Sequence, residues 1–293
     1  MLQRQIGDSS LTVSALGFGA GHIGGPDLDE RAAHALLDRV LDLGITFIDT
    51  ARGYGASEER IGKWLPRHRG SVVLSTKVGY DVPGEEDWTA GAVRGGVEQA
   101  LRVLKTDVID VVFLHSCTLS VLEGGEAVEA LLACREAGKI RIAGYSGEND
   151  ELAWAAGAGA FDVLQTSVNL FDQASLRRTL PAASEHGLGV VAKRPLANAP
   201  WRWRERPDGV YGETYWDRLQ KMNLRPLADD WVGTALGFSA FTPAVSTAIV
   251  GTSRPSNLTA AAAAIARGPL SAAERQRWEQ AFNPRAGEWA GEI

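Results

Sequence analysis

Between Thr46 and Glu58 the chain reads TFIDTARGYGASE, an apolar run closed by an acid, Asp49, and followed five residues later by Tyr54, set between glycines. Two other apolar runs carry an ionisable residue in the same way: Val-Val-Leu-Ser-Thr-Lys-Val over 72–78 contains Lys77, and Val111-Val112-Phe113-Leu114 ends in His115. A lysine inside a buried strand is costly unless it is paired, so Lys77 needs a partner. A tyrosine with its ordinary pKa of about 10 exchanges protons poorly at neutral pH unless a cation stabilises its phenolate. Lys77 can supply that cation, Asp49 can keep it charged, and a neutral His115 can orient a carbonyl oxygen. The four side chains together could give a proton to a developing alkoxide, and they contain no reductant. Singly, each has a plainer explanation: Ser57 could cap a helix with Glu58 and Glu59 in its first turn, and a histidine after a strand is more often structural.

The elements that must position these residues follow a simple rhythm. Eight strand candidates occur at 14–18, 46–50, 72–78, 108–115, 141–146, 163–168, 189–193 and 247–251. Amphipathic helical patterns near 29–43, 57–65, 89–105, 126–138, 150–157, 175–186, 226–240 and 256–267 alternate with them, as in a parallel barrel. Gly44, Gly138 and Gly187 stand where left-handed caps would stop helices. Residues 2–16 alternate around Gly7-Asp8-Ser9-Ser10, which predicts a hairpin ahead of the main fold. The expected fold is α/β, a (β/α)8 TIM barrel of one domain over residues 1–293, with an N-terminal β-hairpin and a C-terminal helix and tail from 271. Asp49, Lys77 and His115 then fall near the C-terminal ends of strands two, three and four, the active face of such a barrel. The long segment 197–225, rich in Trp, Arg and Pro, is the candidate wall of a substrate pocket. Trp88, Trp201, Trp203 and Trp216 suggest either an apolar pocket or packing.

Composition narrows the function classes. A net charge of −6 without a Lys/Arg stripe argues against nucleic acid, and no apolar run approaches the roughly 18 residues of a membrane span. The first residues lack a signal-peptide core, so a cytoplasmic protein is expected. Cys117 and Cys134 form neither a disulfide framework nor a zinc spacing. Gly19-Ala20-Gly21-His22-Ile23-Gly24 fits the dinucleotide fingerprint, but Gly25-Pro26 follows where a helix should start. In a barrel, glycine at the end of strand one would let backbone approach a ligand.

In the ordered set Asp49, Tyr54-Gly55-Ala56-Ser57-Glu58, Thr76-Lys77, Asp107, Asp110 and Leu114-His115 the chain resembles the aldo-keto reductases, from about Leu11 to Leu258. The resemblance implies a nicotinamide cofactor lying extended across the strands' C-terminal face. It implies that Gly19, Ser146, Gln165, Lys193, Arg194, Leu196, Gly251, Thr252, Ser253, Arg254 and Asn257 line the cofactor site. Several of these depart from the family pattern. The Ser-Asn that holds the nicotinamide carboxamide is Ser146-Gly147. The aromatic residue that stacks on the nicotinamide, with its following Ser, is Lys193-Arg194 ahead of Pro195-Leu196. The pair that serves the adenine falls on Ala260-Ala261. The stretch from Gly251 to Leu258 resembles the phosphate-binding turn before a helix.

The expected activity is reduction of an aldehyde or ketone to an alcohol, with Tyr54 as proton donor and NADPH, or alternatively NADH, as reductant. NADPH is favoured because Arg254 is the cation available for a 2′-phosphate. The partner is a small-molecule carbonyl compound, its identity and the oligomeric state being outside what the residues specify. Two rivals are a nicotinamide-binding regulatory subunit with little turnover and a Schiff-base aldolase or lyase using Lys77.

Overall fold

A computed structural model describes residues 1–292. The strands are β1 (Gln3–Gln5), β2 (Thr12–Ser14), β3 (Leu16–Gly19), β4 (Phe47–Asp49), β5 (Val73–Val78), β6 (Ile109–His115), β7 (Ile140–Ser146), β8 (Val163–Ser167), β9 (Gly189–Lys193) and β10 (Val245–Gly251). The first two pair antiparallel as the expected hairpin, and β3 to β10 close into one parallel barrel in chain order, β10 returning to β3. Each expected strand is present, with shifts of a residue or two at most ends. The eight expected helices are present too. Gly44, Gly138 and Gly187 take φ of +74°, +73° and +68° at the ends of their helices, a backbone region that costs glycine little and other residues more.

Alternation along the strands divides the apolar side chains into two layers. Phe47, Val111, Phe113, Ile142, Val163, Val191 and Ile249 fill the barrel interior together with Ile6, Leu11 and Val13 of the hairpin, which therefore plugs the floor. The intervening residues, such as Leu74, Val112, Leu114, Ala143 and Leu164, pack outward against the helices. Asp110 near the start of β6 belongs to the lower half: it accepts from the Leu74 backbone N–H at 2.8 Å and pairs with Arg69 at 2.9 Å and Arg141 at 3.2 Å.

A third apolar core takes up much of the tryptophan-rich segment, the packing alternative for Trp201. Within 197–225 lies a helix, Glu213–Met222, whose Tyr215 and Met222 pack with Phe171, Phe238, Trp278, Phe282 and Trp289. Trp201 stacks on Trp231 with ring centroids 5.0 Å apart and planes 9° from parallel. The Trp216 indole N–H donates to the Trp203 carbonyl at 3.3 Å. Trp201 thus packs this excursion against the helix Trp231–Ser239, while Trp216 ties the excursion to itself. Among the described residues no helix is long and apolar enough to cross a membrane.

Candidate active site

Parallel register carries the ionisable residues to one rim. Gly19 lies opposite Asp49, Asp49 opposite Ser75, His115 opposite Ser146, Ser146 opposite Gln165, and Ser167 opposite Lys193. Lys77 lies two residues beyond Ser75 on β5, so its side chain points to the same face as that of Ser75.

Lys77 finds the partner its burial demands. Its Nζ donates to Asp49 Oδ2 at 2.7 Å and to the Thr50 carbonyl at 2.8 Å, and both charged side chains are almost entirely buried. Burial, the largest single influence, favours a neutral amine, but Asp49 and Tyr54 together outweigh it and the Lys77 pKa is raised. The other Asp49 oxygen accepts from Ser75 Oγ at 2.7 Å and Gln165 Nε2 at 3.0 Å, so the carboxylate is held by three side chains from two other strands, β5 and β8. The ammonium nitrogen sits 4.9 Å from the centre of the Tyr54 ring. His115 stands edge-on to that ring, with centroids 6.5 Å apart. Its pKa falls to about 3, first through burial and then through the charges of Lys77 and Lys193. At neutral pH it is an uncharged hydrogen-bonding group.

The loop that presents Tyr54 is secured by the two residues that close the motif. Ser57 does not cap the helix Ser57–Trp64; its hydroxyl donates to the Ala20 carbonyl at 2.9 Å and accepts from the Thr50 hydroxyl at 2.8 Å. Glu58 accepts from Thr76 Oγ1 at 2.5 Å and is raised in pKa by burial. Ser57 therefore ties the loop to the ends of β3 and β4, and Glu58 ties it to β5, one residue before Lys77.

The arrangement has the residues in family order, and a model of the family described as "Aldo/keto reductase family" matches residues 15–283. The chain belongs to the aldo/keto reductase family. Its fold superposes on the aldo-keto reductase AKR11C1 from Bacillus halodurans, holo form, with a TM-score of 0.82 and 30% identity, covering 96% of both chains. It is 31% identical over 209 residues to L-galactose dehydrogenase of Arabidopsis thaliana, covering 66% of this chain and 65% of that protein. It is 28% identical over 295 residues to a probable voltage-gated potassium channel subunit beta of the same plant, covering 88% and 89%. The chain is thus related to oxidoreductases, and the match to the plant dehydrogenase spans a little under two thirds of that enzyme.

The positions where the resemblance leads one to expect a nicotinamide cofactor fall into two groups. At the β10–β3 seam the residues fit a dinucleotide. Gly19 and Gly251 face each other so closely that a Cβ on Gly251 would lie 3.1 Å from the Gly19 carbonyl oxygen and 3.1 Å from the His22 ring. Buried Thr252 accepts from the Arg254 backbone N–H at 3.1 Å and Asn257 Nδ2 at 3.0 Å, shaping the turn that leads into the helix Pro255–Ala266. That helix starts without a side-chain cap or an acid in its first turn, and Ser253 and Arg254 are exposed beside it. The Asn257 N–H returns to the Arg254 carbonyl at 3.1 Å, so what this uncapped helix start offers an anion such as a diphosphate is its positive end and the exposed Ser253 and Arg254 side chains. Of the adenine pair, Ala261 is buried in the core and Ala260 is exposed.

At the nicotinamide end the site is rebuilt. Ser146 Oγ donates to Gln165 Oε1 at 2.9 Å, and Gln165 reaches Asp49, so a polar chain crosses the barrel. A side chain at position 147 would meet the Tyr145 ring at 2.5 Å, which explains glycine where the family has an amide. The next residue, Glu148, was missed by sequence reasoning and is buried. It accepts from Thr166 Oγ1 at 2.5 Å and the Ser167 N–H at 2.8 Å, and pairs with Lys193 Nζ at 3.2 Å. The Lys193 pKa is lowered by burial, against the opposing pull of Glu148. Arg194, at φ +52°, donates to Ser167 Oγ at 3.2 Å and to the Glu292 carbonyl, and lies 4.7 Å from the centre of the Tyr211 ring. Leu196 packs between the outer and third cores. The two cations that replace the aromatic ring therefore each have partners. The signal for Glu148 was present: a lysine ending the apolar strand 189–193 calls for a buried acid as Lys77 does.

Proposed function

We propose that this chain interconverts an aldehyde or ketone with its alcohol, using a nicotinamide cofactor. The observation that carries the reading is Lys77 held by Asp49 and Thr50 beneath Tyr54, with neutral His115 alongside. The reduced cofactor, when bound, supplies a hydride to the carbonyl carbon. Negative charge then develops on the carbonyl oxygen, and His115 orients that oxygen by a hydrogen bond while Tyr54 gives it the phenol proton. The Lys77 ammonium stabilises the phenolate left behind, and Asp49 prevents the buried lysine from losing its proton instead. Ser146, Gln165 and Lys193 face the nicotinamide end, while Gly19, Gly251, Thr252, Ser253, Arg254 and Asn257 face the phosphates. Arg254, as the exposed cation beside the helix start, favours NADPH over NADH.

A Schiff-base role for Lys77 is disfavoured by the same geometry, because a raised pKa keeps the amine protonated and unreactive. The similarity to a potassium channel subunit beta and the exchanged side chains on β7 and β9 favour a second reading, a cofactor-binding regulatory subunit with slow turnover. A panel of aldehydes, ketones and alcohols, followed by absorbance of the reduced nicotinamide with NADPH and NADH, separates the two. Turnover with at least one carbonyl class is expected; tight cofactor binding with no turnover across the panel would replace the enzyme reading by the regulatory one.

A further inference from the structure

Tyr80 lies just beyond β5 and outside the four residues discussed above. Its phenol oxygen is 3.0 Å from Nδ1 of His115, and the two rings are 5.5 Å apart between centroids. A bond between a phenol and an imidazole nitrogen can run in either direction, and the surroundings decide which. The Gly53 backbone lies against the Tyr80 oxygen. The approach is close, since a Cβ on Gly53 would stand 3.0 Å from that oxygen. The oxygen thus sits against the loop that presents Tyr54. Among the described residues the hydroxyl hydrogen has no acceptor in range other than Nδ1. The Tyr80 ring itself is backed by Trp88, 6.0 Å away between centroids, which also covers Gly79.

We propose that Tyr80 is a positioning residue: a relay from Tyr80 O–H, packed against Gly53, to His115 Nδ1 fixes the tautomer and angle of His115 so that Nε2–H is the group offered to the substrate carbonyl. An uncharged imidazole carries one N–H. If Nδ1 accepts, that hydrogen is on Nε2, the nitrogen left for a carbonyl oxygen placed between His115 and Tyr54. The relay also couples the histidine to the Tyr54 loop, so that the proton donor and the orienting group move together. This inference rests on the carbonyl-reduction reading for its purpose but not for its geometry.

The test uses the full chain with 15N-labelled histidine, His115 being assigned by its absence in His115→Ala. Native protein should show His115 as one neutral Nε2–H tautomer with a hydrogen-bonded Nδ1. Tyr80→Phe should release Nδ1 and bring in the second tautomer, with nicotinamide Kd unchanged within about twofold and kcat lower by roughly tenfold, the scale of one lost neutral hydrogen bond. Adding Tyr80→Phe to His115→Ala should slow turnover no further than His115→Ala alone, because residues acting as a unit are non-additive. A native Nδ1–H tautomer, or a His115 spectrum indifferent to Tyr80→Phe, overturns the relay. So does a Tyr80→Phe penalty that persists in full without His115. The spectrum needs no substrate, so a protein with the expected tautomer and no carbonyl turnover contradicts the reductase reading and leaves the relay standing.

Discussion

The rim over β4 to β6 and the rim over β7 to β9 each bury a lysine at a strand's end, and they neutralise it in different ways. On the first side Lys77 is paired with Asp49 from the neighbouring strand, and the pair stands under Tyr54. On the second side Lys193 is paired with Glu148, and the backbone of Glu292 is drawn in by Arg194 and by Asp172. The first side carries the residues that the resemblance to the family leads one to expect. The second meets that expectation at Ser146 and Gln165 and balances the charges of Lys193 and Arg194 internally. The contrast suggests that proton transfer constrains side-chain chemistry tightly, whereas holding a cofactor ring can be met by more than one set of contacts.

Substitutions should separate the two sides. The largest effect is expected at Lys77→Met, which should lower kcat by on the order of a thousandfold by removing the cation that stabilises the phenolate. Combined with Tyr54→Phe it should cost little more, and a double variant losing the full product of both effects would argue against a coupled pair. Next comes Glu148→Ala. It leaves Lys193 buried without its acid and should destabilise the fold by about 3–5 kcal/mol in denaturant titration. Replacing Lys193 by Met in the same protein should recover part of that loss; no recovery would show that Glu148 matters through Thr166 and Ser167 instead.

Protonation offers a weaker probe. His115 has a folded pKa of about 3 against an unfolded value near 6.5, so the unfolded chain takes up a proton there first. Its contribution to stability is intact above about pH 6.5 and is lost progressively as the pH falls toward 3. His115→Gln should therefore gain stability relative to native protein between pH 7 and pH 4; a difference independent of pH would mean that the ring is not held neutral. The smallest effect is expected at Arg254→Ala. This variant should weaken NADPH by roughly tenfold and NADH hardly at all, as befits charge-assisted bonds to one phosphate. Equal losses for both would remove Arg254 from cofactor choice.

The barrel was legible because its strands are apolar runs of ordinary length separated by amphipathic helices and glycine stops. Asp49, Tyr54, Lys77 and His115 were legible because a charge in an apolar strand demands an explanation. What escaped depended on contacts between distant segments. Ser57 looked like a cap, since local sequence could not show that the Ala20 carbonyl and the Thr50 hydroxyl would engage its hydroxyl instead. Trp201 could not be told from a pocket wall until its stacking partner Trp231, thirty residues on, was in place. Glu148 follows a strand in an unremarkable polar turn, and its burial is set by Lys193 from two strands away.

The proton-donor role of Tyr54 is tested most directly by titrating NADPH into native protein and Tyr54→Phe and following a single turnover of bound NADPH with an aldehyde. Removal of one hydroxyl should leave the Kd within about twofold while the single-turnover rate falls by at least about a hundredfold. A Tyr54→Phe protein that oxidises bound NADPH at close to the native rate would contradict the account.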